Sequence, residues 1–187
     1  MLLNLPVVIL FNAFVTGIFT KAADLFLEHG YKTSNNIKIL LGIGWGVFGS
    51  LVVIGSPLIG AFYFAILLSW VIRYKLDYYN HGIGGALILL TLFFVRPEGL
   101  LVNLILFPTF FLFTFFGILS REYKMKKKLS WFHKYNVYSF IYLGILSYYF
   151  PEVWLVFFAS MANVLGYHGV RYFFGDKKTR KKIKSTS

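Results

Sequence analysis

The sequence predicts an all-α, polytopic bundle of seven transmembrane helices, with its N-terminus outside and its C-terminus cytoplasmic. Three observations carry that expectation: an apolar composition, apolar runs near membrane-spanning length, and basic residues confined to alternate connections. The chain has 187 residues, 58% of them hydrophobic and only 14% charged, with a mean hydropathy of +0.68. A soluble domain carries roughly a quarter charged residues, and this chain has too little polar surface to cover itself in water. Lipid is the expected solvent. The length suits one bundle over residues 1–175 followed by a basic tail, 176–187.

A helix needs about 20 apolar residues to cross a hydrocarbon core about 30 Å thick. The predicted spans are Leu3 to Thr20, Ile37 to Ile54, Pro57 to Ile72, Ile83 to Val95, Leu100 to Leu119, Asn136 to Phe150 and Val153 to Phe174. The first has neither a positively charged n-region nor a small-residue cleavage site, so it reads as a retained span. The fourth is short unless it borrows from the preceding "DYYNHG", which places part of that stretch at membrane depth. Pro108 is expected to kink or interrupt the fifth, because proline removes a backbone donor.

The connections alternate in charge. Eighteen of the 19 Lys and Arg lie between spans one and two, three and four, and five and six, or from Arg171 to the tail; the other is Arg96. Cations concentrate on the cytoplasmic side of membrane proteins, which fixes the orientation stated above. The net charge of +12 therefore reads as topogenic and as attraction to anionic lipids, not as a nucleic-acid surface. The expected location is the cell (plasma) membrane. With no cysteine, disulfides and thiolate chemistry are excluded.

On this topology all four histidines and five of the seven acids fall at cytoplasmic ends. In span one, Asn12, Thr16, Thr20 and Asp24 repeat every four residues, with Lys21 beside them. In span seven, Ser160, Asn163, Tyr167 and Arg171 do the same. Ser69 and Arg73 of span three continue into Asp77 and His81 if that helix runs on. Hydrocarbon offers polar stripes no hydrogen-bond partner, so spans one, three and seven are expected to turn these faces inward. The plainer account is helix-to-helix bonding and interfacial ion pairs.

The candidate site follows. His81 is the acid or base, because imidazole titrates nearest neutrality, and Asp77 or Asp24 orients it or holds a metal. Arg73, Lys75 and Arg171 are expected to hold phosphate, with Lys21, Asn163 and Tyr167 completing the substrate-binding set. Asp77 and His81, one turn apart, suit a divalent cation, although Asp-x-x-x-His is a common spacing by chance. The glycines of "HGIGG" fit a helix N-terminus that could cradle phosphate, close helix packing, or a His-Gly helix stop. Gly42, Gly46 and Ser50 form a small-residue row that serves packing within the bundle or oligomerisation.

Two function classes remain beside a non-catalytic membrane scaffold. One is a membrane enzyme acting on an anionic lipid or isoprenoid head group at a cytoplasm-facing pocket. The other is a small transporter or channel whose path is lined by spans one and seven. No diphosphate motif, His-Glu-x-x-His or nucleotide loop selects between them.

Overall fold

Proline and glycine punctuate this chain, and several helices begin or end on them. The computed structural model describes residues 2–27, 33–72, 79–95, 97, 106–122 and 137–174. Seven α-helices run through them: α1 Pro6–Leu27, α2 Asn35–Gly55, α3 Pro57–Ile72, α4 Tyr79–Phe94, α5 Leu106–Glu122, α6 Val137–Tyr149 and α7 Trp154–Phe174. Short 3-10 turns, Leu2–Asn4 and Pro151–Val153, precede α1 and α7, and no strand occurs among the described residues. Pro6 and Pro57 open their helices, where the missing N–H costs no bond. Ser34 caps α2, its Oγ accepting from the Ile37 amide at 3.4 Å.

Three segments are long and apolar enough to cross a membrane: Pro6–Phe26, Asn35–Gly55 and Pro151–Phe174. The others are shorter, with 16 residues each in α3 and α4, 13 in α6, and an apolar stretch of Leu106–Phe116 in α5. A helix of 16 residues rises about 24 Å, less than a hydrocarbon core of about 30 Å. The expected helix number is present; seven full-length spans are not.

Neighbouring pairs give the helix directions. Ile9 lies against Gly55 and Phe19 against Gly44, so α1 and α2 are antiparallel. Gly42 meets Asn80, and Ser50 bonds Thr91 at 2.9 Å, so α2 and α4 run the same way. Phe62 meets Phe110, and Ser69 meets Thr114 at 3.1 Å, which makes α3 and α5 parallel. Ala13 pairs with Asn163 and Asp24 with Tyr167, so α1 and α7 are parallel too. One core, with Ile9, Val52, Ile59, Phe110, Leu143 and Val156 fully buried, joins all these helices but α4; a second, around Trp45, Val53, Leu67, Ile88 and Leu92, ties α4 to α2 and α3. Large apolar side chains such as Phe11, Leu40, Phe93, Leu112 and Leu165 are exposed. That surface is compatible with lipid contact.

Three buried hydroxyls are satisfied within their own helices. Thr16, Ser69 and Ser147 donate to the carbonyls of Asn12, Ala65 and Leu143 at 2.6–2.7 Å. Bonding one turn back is the inexpensive solution where water is absent.

Four sequence-based expectations are corrected. Pro108 lies in the first turn of α5, where proline breaks no helix bond, so it does not interrupt the helix. His81 belongs to α4, which begins at Tyr79, and does not extend a row on α3. The His81-Gly82 pair accordingly starts a helix and does not stop one. Ser69 does turn inward on α3, against α5, and the correction is that α4 also presents a polar group, His81, to α1. The residues Arg73, Lys75 and Asp77, the His29-Gly30 pair and the tail 176–187 lie outside the described residues.

Candidate functional site: a buried polar cluster at one end of the bundle

Small residues bring the cluster's helices together. A Cβ at Gly17 would collide with the backbone of Asn163, and one at Gly166 with the carbonyl of Phe14. The α1 and α7 backbones therefore touch, as small residues allow. Asn163 crosses this seam, its Nδ2 donating to the Ala13 carbonyl at 3.2 Å. Farther along the parallel pair, Tyr167 reaches Asp24. Gly42 and Gly46 similarly seat α2 against Asn80 and Gly84 of α4. The row Gly42, Gly46, Ser50 thus mates inside the bundle.

At the C-terminal end of α1, the Asp24 carboxylate is held on both oxygens. The Tyr167 hydroxyl donates to Oδ2 at 2.8 Å, and His81 Nε2 lies 3.0 Å from Oδ1. An ionised carboxylate only accepts, so Nε2 is the protonated nitrogen of the ring. Lys21 Nζ stands 4.0 Å from the same Oδ2 and 5.1 Å from the centre of the Tyr167 ring, a cation over an aromatic face. Lys21 is only 2% exposed and His81 8%. Buried ionisable groups are costly, and this quartet offsets that cost by mutual pairing.

Trp45 on α2 meets His81 edge-on, with ring centres 6.0 Å apart at 82°. A Cβ at Gly84 would strike the Trp45 ring, so glycine there makes room for the indole. Asn80 is wholly buried, and its Oδ1 accepts from the His81 amide at 2.7 Å.

Of the nine candidate residues, the structure brings Lys21, Asp24, His81 and Tyr167 into one contiguous network. Asn163 serves the α1–α7 seam, a step away from it. Arg171, half-buried, follows Tyr167 by one turn on α7. Arg73, Lys75 and Asp77 fall outside the described residues. Among the described residues no group of three His, Cys, Asp or Glu is placed to hold a metal. Sequence reasoning missed Trp45 and Asn80. Trp45 follows Gly42 by three positions on the helix face of the small-residue row, and Asn80 directly precedes the candidate histidine; either could have marked them.

An open groove of about 490 Å³ lies at the opposite end, where Pro6, Leu58, Leu106, Glu152 and Trp154 converge. Its lining is mainly apolar, so the chemistry-bearing residues and this groove are separate features. No family model, curated protein or solved structure matches the chain.

Proposed function

We propose that this chain is a multi-pass membrane enzyme acting on an anionic lipid or isoprenoid head group at the cytoplasmic end of its bundle. All seven helices cross in this reading, the N-terminus lies outside, and the membrane is the cell membrane. The alternating basic connections and the alternating helix directions support that arrangement. Thinning of the bilayer and flanking anchors accommodate the shorter helices.

The observation that carries the enzyme reading is the His81–Asp24 pair, 3.0 Å apart, with Tyr167 on the second carboxylate oxygen. Asp24 fixes the tautomer and the ring plane, so proton transfer to or from a ligand runs through His81 Nδ1. Lys21 and Arg171 supply positive charge for a phosphate, a role also assigned to Arg73 and Lys75 from the sequence. The touching backbones of α1 and α7 weigh against a transport path between those two helices, since the seam has no lumen at Gly17 and Gly166.

The test uses the purified full-length protein. Lipids that co-purify are identified by mass spectrometry, and phosphatidic acid, phosphatidylglycerol and polyprenyl phosphate are each incubated with it. Turnover of one of these, lost in His81→Gln with the fold retained, supports the reading. No anionic lipid bound or converted would end it.

A further inference from the structure

Among the described residues three buried polar atoms have no hydrogen-bond partner: Asn80 Nδ2, Tyr142 Oη and Ser160 Oγ. Tyr142 packs against the apolar core. Asn80 differs from the other two, because the whole residue is buried, at 0% exposure, and it directly precedes His81. The buried hydroxyls of Thr16, Ser69 and Ser147 each find a carbonyl one turn back. A buried donor without an acceptor is unfavourable and calls for a cause.

The side chain's position is well determined. Its Oδ1 takes the His81 amide proton at 2.7 Å, so exchanging oxygen and nitrogen would set two donors against each other. Behind it, a Cβ at Gly42 would lie 2.6 Å from the Asn80 carbonyl oxygen, so the α2 backbone blocks retreat. The carboxamide thus sits over the first turn of α4, where main-chain N–H groups lack helix partners and the helix dipole is positive.

We propose that Asn80 is a ligand-binding residue, its Nδ2 donating to a phosphate-class oxyanion seated at the N-terminus of α4. A pure donor at a helix N-terminus, next to the Lys21 network, matches an oxygen-rich anion and repels a cation. With water excluded around Asn80, that one hydrogen bond counts for more than it would at the surface. The inference rests on the head-group reading above and assigns it the atom that holds the phosphate.

Two probes serve as ligands for the purified full-length protein: inorganic phosphate, and phosphatidic acid in phosphatidylcholine nanodiscs. Asn80→Ser keeps an acceptor for the His81 amide and lacks the NH2; Asn80→Asp keeps the shape and replaces the donor with an acceptor. Both variants are expected to bind about tenfold more weakly or worse, the loss of one hydrogen bond to a charged group. Without probe, Asn80→Ser is expected to melt no lower than wild type, because the atom it deletes bonds nothing. Weakening toward phosphatidic acid alone identifies a lipid head group; weakening toward both identifies any phosphate. Asn80→Ser binding as wild type does, or melting clearly lower without probe, overturns the proposal. Loss of turnover in His81→Gln alongside unchanged binding by the Asn80 variants would leave the head-group reading standing without it. Wild type binding neither probe removes this proposal; the head-group reading then falls only if the wider lipid panel also fails.

Discussion

His81 and Asp24 lie 57 positions apart in the chain and 3.0 Å apart in space, with Nε2 facing Oδ1. The pair joins α4 to α1 at one end of the bundle, and Tyr167 of α7 closes the arrangement. Removing the carboxylate takes away the group that Tyr167 and His81 both contact and the negative charge beside buried Lys21. Asp24→Ala is expected to destabilise the protein by about 3 kcal/mol, the cost of breaking a buried pair from one side. A double-mutant cycle with His81→Ala should show a coupling of about 1–3 kcal/mol by unfolding in detergent. Additive effects would mean the two groups do not interact.

Tyr167→Phe removes one hydroxyl and nothing else. Its bond to Asp24 Oδ2 is 2.8 Å and charge-assisted, so the expected loss is about 1.5–3 kcal/mol in the same unfolding measurement. The Lys21 contact with the ring survives in this variant. An unchanged midpoint would place the hydroxyl outside the network.

Gly17→Leu and Gly166→Leu each push a side chain into the opposing backbone of α7 or α1. Neither backbone can yield as a flexible side chain would. Each variant is expected to lose more than the 1–3 kcal/mol or so typical of an overpacked core, with lower yield of folded protein. Size-exclusion profiles and thermal melts provide the check.

Gly84→Ala drives a methyl into the indole of Trp45, which lies edge-on to His81 and 6.1 Å from Trp70. The expected result is a shifted tryptophan emission spectrum together with weakened head-group turnover, at an overall fold still helical by circular dichroism. Emission identical to wild type would show that the indole is not held as described.

The chain contains no cysteine, so single cysteines report topology directly. Ser56→Cys at the α2–α3 turn and Ser187→Cys in the tail are expected to label from opposite sides, Ser56→Cys from outside. Labelling of both from one side would refute the alternating arrangement.

Much of this was legible from residue spacing. Seven helices, the parallel course of α1 and α7, and the polar faces that carry Asp24 and Tyr167 follow from apolar runs, charge alternation and four-residue stripes, whereas His81 comes from α4 and not from the α3 row that spacing suggests. Partner choice was less legible. Asp77 and Asp24 are equivalent candidates in a one-dimensional pattern, and it takes the approach of α1 to α4 to bring Asp24 to His81. Pro108 misled because a proline signals a break without saying whether the helix has already begun. Asn163 looked like a site residue from its stripe, whereas the neighbouring Gly17 and Gly166 turn that position into a seam.

The contact between Asp24 and Tyr167 spans 143 positions. During synthesis α1 is complete long before α7 leaves the ribosome, and through that interval the edge that carries Gly17 and Asp24 lacks its α7 partner. An insertion factor that shields this edge, or a protease that recognises it, would therefore distinguish finished chains from stalled ones by a single surface.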